Sequence, residues 1–142
     1  MANDQTLRRL LRFDSALCLA CGLPGLVASG WLAGFLLPGQ PGIFGLAMPV
    51  VMLELGIALT AYAVLLGIMS FRASVPRGFV AFTAIGDGAW VLGTVALLLA
   101  FGPAFSAAGA VALLIVAADT GLLGVLKARA LRGGARPAVA GI

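Results

Sequence analysis

Four carboxylates placed where charge is expensive are the first chemistry this sequence offers. The chain carries five acidic residues, and only Asp4 stands in plainly polar surroundings. Asp14, Glu54, Asp87 and Asp119 lie within long apolar stretches. A charged side chain at the centre of a bilayer costs about 2.5–3.5 kcal/mol even on insertion-derived scales, so each acid there needs a partner, water or a proton. Such residues mark proton relays and cation sites, and they also serve as interhelical polar clamps. Cys18-Leu-Ala-Cys21 has the C-x-x-C form of a thiol redox pair. Its mid-helix position lacks the helix N-terminus that would lower a thiol pKa, and the chain has no further cysteines to relay electrons. Two small core residues on one helix face is the better reading. The absence of histidine removes the usual haem ligand, the commonest zinc ligand and a histidine general base. With no Gly-rich phosphate loop and no metal-ligand cluster, the expectation is a non-enzymatic protein with no catalytic residue, cofactor or metal.

The elements that must position these acids follow from composition. The chain has 142 residues, 62% hydrophobic and 10% charged, whereas a soluble domain is about half apolar and about a quarter charged. Four apolar stretches stand out, at about 13–37, 43–71, 79–101 and 105–126. Each meets the requirement of roughly 20 residues for a helix crossing a hydrocarbon core. Proline- and glycine-rich links at 38–42, 72–78 and 102–104 end the helices and are short enough to force antiparallel neighbours. The expected architecture is therefore all-α: one integral membrane domain over residues 1–142, an up-down-up-down bundle of four transmembrane helices, with a flexible tail over 133–142. The apolar run to Leu37 exceeds a typical signal-peptide core, so the first stretch is expected to remain as a span.

Orientation follows from the basic residues. All nine Lys and Arg fall before the first stretch, between the second and third, or after the fourth. The positive-inside rule makes that face cytoplasmic and places both termini there, in a bacterial inner membrane. The same clustering makes the basic residues topology determinants rather than a nucleic-acid surface.

Depth follows from hairpin symmetry. Asp87 and Asp119 each stand sixteen residues from Pro103, which places them level on neighbouring helices, roughly 24 Å from the outer turn. Tyr62 and Cys18 fall in the same layer. Asp87, Trp90 and Thr94 repeat at i, i+3 and i+7 and share a face, the expected inward one. No Lys, Arg or His is expected at that depth, so Asp87 and Asp119 are expected to share a proton across the third and fourth spans. Glu54 stands about midway along the second stretch, near a backbone carbonyl freed by Pro24. Asp14, beside Arg12, reads as a snorkelling residue. The pairs Gly22 and Gly25, Gly30 and Gly34, Gly86 and Gly88, and Gly121 and Gly124 give flat faces for close helix packing. The candidate intramembrane polar site is thus Glu54, Asp87, Asp119, Tyr62, Trp90 and Thr94.

The segments Ile85-Gly-Asp-Gly-Ala-Trp-Val-Leu-Gly93 and Val116-Ala-Ala-Asp-Thr-Gly-Leu-Leu123, with the Arg12-Phe-Asp14 opening, resemble a family of small bacterial four-helix membrane proteins of unknown function. The resemblance spans most of residues 8–130. It implies an Asn at the position of Asp87 and a Gln at that of Asp119, and amides there favour a hydrogen-bonded clamp. The two acids of this chain depart from that pattern and reopen proton or cation chemistry. The family carries no activity with it.

The leading expectation is an accessory or interaction subunit of the inner membrane. Its partners would be the lipid bilayer and a larger membrane complex or further copies of the chain, with no nucleic acid. The alternative is a small oligomeric proton- or cation-coupled transporter using Glu54 and the Asp87–Asp119 pair.

Overall fold

A computed structural model describes residues 2–43 and 45–133. Among them the chain forms five α-helices: α1 (Ala2–Val27), α2 (Ser29–Leu36), α3 (Met48–Ser70), α4 (Arg77–Phe101) and α5 (Ala107–Gly133). A two-residue hairpin, β1 (Gly42–Ile43) against β2 (Leu46–Ala47), precedes α3, and a 3-10 turn over Gly102–Ala104 joins α4 to α5. Four segments are long and apolar enough to cross a membrane: Asp4–Val27, Met48–Ser70, Arg77–Ala104 and Ala107–Gly133. The tail expected from residue 133 lies, from 134 onward, outside the described residues.

The first apolar stretch is two helices rather than one. Pro24 has no N–H to give to the carbonyl one turn back. The helix survives it for one turn, with Ala28 N–H bonded to Pro24 O at 2.9 Å, and then breaks at Ala28, whose φ and ψ are −145° and 41°. At its other end α1 starts at Ala2, well before the expected Phe13. Leu7, Leu11, Asp14, Gly22 and Gly25 are buried along it, a stripe at helical spacing, while Arg9 and Arg12 point outward.

The second stretch also starts later than expected. Gly45, with φ at 79°, makes the hairpin turn that a helix from Ile43 would have overrun. Pro49 in the first turn of α3 suits a helix start, where its missing N–H has no intrahelical role. At the opposite junction Ser106 caps α5. Its Oγ accepts the Gly109 N–H at 2.8 Å, while its own N–H and hydroxyl donate to the carbonyls of Leu36 and Phe35, tying α2 to the start of α5.

Packing follows the glycines in part. A Cβ at Gly56 would stand 2.8 Å from the Gly22 carbonyl oxygen and from backbone atoms of Gly25 and Leu26, so α1 and α3 meet backbone to backbone. Gly124 sets α5 against α4 less closely, with the Asp87 side chain as the nearest neighbour of its missing Cβ. Gly30, Gly34, Gly86 and Gly88 have open space where a Cβ would be, so they close no interface among the described residues. Leu7 and Leu11 of α1, Leu66 of α3, Val75 of the following loop and Val80 of α4 form one core cluster, with Ala130 and Leu131 of α5 against it. That cluster gathers the basic ends of the helices. A second one, Ala33, Met48 and Met52, joins α2 to α3 at the far end. Overall α1 packs on α3 and α5, and α5 on α4, whereas α3 and α4 scarcely approach each other despite being consecutive. The bundle is left open along the seam between them.

Candidate functional site

Lys127 organises the polar interior. Its side chain is fully buried, and Nζ donates to Asp87 Oδ2 at 2.8 Å and to Asp14 Oδ2. Both carboxylates are buried as well. Side chains on a helix lean toward its N-terminus. Lys127, near the C-terminal end of α5, therefore reaches back into the bundle, while Asp14 on α1 and Asp87 on α4 lean toward the basic end to meet it. Gly124, one turn before Lys127, makes the room: a Cβ there would lie 3.0 Å from Asp87 Cβ and 3.5 Å from the Ala84 carbonyl oxygen. One lysine thus joins three helices. The attraction compensates the desolvation of all three groups only while every member is present.

This arrangement corrects three expectations. Asp87 pairs with Lys127 and not with Asp119, which is exposed on α5. The residues of α5 that turn inward are Gly109, Ala117, Leu123, Gly124 and Lys127, and Asp119 stands off their stripe by about a quarter of a turn. A cation does reach the acids, because matching residues by backbone level ignores the length and lean of a lysine side chain. Asp14, read as snorkelling, is buried in the same cluster. The signal that could have found Lys127 was its spacing of three from Gly124, the small-residue position that opens the α4–α5 contact.

Tyr62 and Trp90 are placed together with Asp87, whereas Thr94 meets only Trp90 of these, at a second cavity. A cavity of about 250 Å³ is lined by Asp14, Cys18, Tyr62, Phe82, Asp87 and Trp90 among others. A second, of about 490 Å³, lies nearer the uncharged end between Met52 and Leu55 of α3 and Trp90, Thr94 and Leu97 of α4. Gly86 and Trp90 line both. Cys18 donates its thiol to Asp14 Oδ1 at 3.7 Å, and Cys18 and Cys21 are both free thiols. Glu54 is set apart from this group. It is exposed, lines neither cavity, and lies two turns inside α3 rather than midway, because the helix starts at Met48. Among the described residues neither Glu54 nor Asp119 takes part in an ion pair. No group of three or more His, Cys, Asp or Glu side chains among them is placed to hold a metal ion.

Compared with known proteins, the chain matches no family model, no curated protein and no solved structure. The chemistry of the site therefore rests on its own residues. Two carboxylates and one ammonium can hold three helices together, can exchange a proton, and can present residual negative charge to the adjoining cavity.

Proposed function

We infer that this chain is a non-enzymatic interaction subunit of the bacterial inner membrane, a member of the small four-helix group it resembles. In this reading the helices run up-down-up-down with both termini cytoplasmic, and the chain docks a transmembrane segment of another membrane protein against the outer face of α5. One observation carries the reading. Asp119 is exposed near the middle of α5, without a charge partner among the described residues, between the exposed apolar side chains of Ile115 and Leu122. An acid on a lipid-facing helix surface calls for a donor from outside the chain. The complement is a basic side chain, and among the described residues a second copy has none to give at that level: those arginines stand at the basic ends and the lysine is committed to Asp14 and Asp87. Glu54, exposed on α3, is a second such acid on a different face. The interior acids, by contrast, have their cation in cis, which favours a clamp over the alternative of a coupled transporter.

The test is isolation of the full chain from its native membrane in mild detergent, with intact-complex sizing. The expected result is a stoichiometric complex with a larger membrane protein that Asp119→Leu dissociates and Asp119→Asn weakens. A complex indifferent to Asp119→Leu, or a homo-oligomer with nothing else attached, refutes it. Reporter fusions at the two ends test the topology, and a periplasmic signal from either end overturns it.

A further inference from the structure

We propose that the cavity between α3 and α4 is a binding site for an amphiphilic organic cation, which enters sideways from the bilayer. The site is independent of the docking face on α5.

Three observations converge on that chemistry. The first is charge. Asp14 and Asp87 line the cavity, whereas Lys127, fully buried, does not; it holds the two acids from behind. Two carboxylates against one ammonium leave a formal excess of one negative charge at the cavity wall. Lys127 occupies Oδ2 of each acid and Cys18 bonds Oδ1 of Asp14, which leaves Oδ1 of Asp87 with no donor among the described residues. The second is aromatic lining. Tyr62, Phe82 and Trp90 come from two helices to the same space, and ring faces attract cations most strongly where water is excluded. The third is shape. The charged cavity of about 250 Å³ shares Gly86 and Trp90 as lining with the apolar one of about 490 Å³, so a cationic head in the first has space for a hydrocarbon body on the far side of these two residues. Gly86 is exposed and has no atom within 4 Å of where a Cβ would stand, so it keeps the junction open. The sparse contact between α3 and α4 makes the seam the way in.

The same features select against other amphiphiles. An anionic head meets the excess negative charge. A zwitterionic phospholipid brings its phosphate next to the carboxylates along with its ammonium. A hydrophilic cation gains nothing from the apolar extension. Lipophilic ammonium and phosphonium ions satisfy all three parts.

The experiment uses the purified full chain in a neutral maltoside detergent, with radiolabelled tetraphenylphosphonium as probe and its isosteric anion tetraphenylborate as competitor. The expected result is saturable, near-stoichiometric binding that tetraphenylborate does not displace. Gly86→Leu, which fills the junction from a position with free space, should weaken binding at least tenfold with helicity and melting unchanged. Trp90→Leu should weaken it several-fold. Binding that does not saturate, that tetraphenylborate displaces equally, or that survives both Gly86→Leu and Trp90→Leu overturns the proposal. Asp87→Asn separates charge from shape: a folded variant that binds the phosphonium as tightly as the parent also refutes it.

Discussion

Replacing Lys127 by Met removes the ammonium and keeps most of the side-chain volume. In the native protein Asp14 and Asp87 are 2% and 4% exposed, and both bond this one cation. Without it, neither carboxylate has a cation partner among the described residues: Arg129 and Arg132 of α5 are exposed at the helix end, Arg8 donates to the Ala73 carbonyl, and Arg12 lies over the Phe71 ring. Breaking a buried ion pair by removing one partner costs about 3–5 kcal/mol. A typical domain has only about 5–15 kcal/mol of net stability, so the loss should be obvious. Protonation of the acids would relieve part of it, which sets the lower end of that range. Unfolding of the purified chain in mild detergent, followed by helicity and by protease susceptibility, measures the effect. The control is the neutral triple variant Lys127→Met with Asp14→Asn and Asp87→Asn. Replacing all members of a buried ionic cluster is often near neutral, so it should recover most of the stability and show strong non-additivity with the single change. A Lys127→Met protein as stable as the parent would refute the reasoning, since the lysine would then be serving as a surface residue.

Gly56→Val should destabilise by about 2–4 kcal/mol or prevent folding, since overpacking here meets backbone of α1 that cannot swing aside, whereas Gly30→Ala and Gly34→Ala should stay within about 0.5 kcal/mol. The same unfolding assay reads both, and equal effects at Gly56 and Gly34 would contradict the packing. Ser106→Ala should cost about 1–2 kcal/mol through the lost cap of α5 and the lost bond to the Phe35 carbonyl, with amide exchange rising first at Gly109. Unchanged exchange there would remove the cap from the account.

The number of spans was legible because hydropathy is a local, additive property: runs of apolar residues punctuated by Pro and Gly stay apolar whatever surrounds them. The four long helices observed correspond to the four stretches for that reason, with shifts at their ends where one residue decides, as at Ala28 and Gly45. Part of the site was legible too. Asp87, Trp90 and Thr94 share a face by helical repeat alone; in the structure Asp87 and Trp90 line one cavity with Tyr62, and Trp90 and Thr94 line the neighbouring one. The pairing of the acids was not legible. Whether Asp87 meets Asp119 or Lys127 depends on how α4 and α5 rotate about their axes, and that rotation is set by Gly124 seating on Asp87 and by Lys127 bonding Asp14 of α1 as well as Asp87. Nor does chain order reveal that consecutive helices α3 and α4 stand apart while α1 wedges between α3 and α5. Depth along a helix is counted in residues, but direction around it and neighbourhood beyond it are decided by side-chain volumes from other helices. Lys127 shows the difference: its position reads as the end of a span, and its long side chain, leaning toward the N-terminus of α5, places the charge inside.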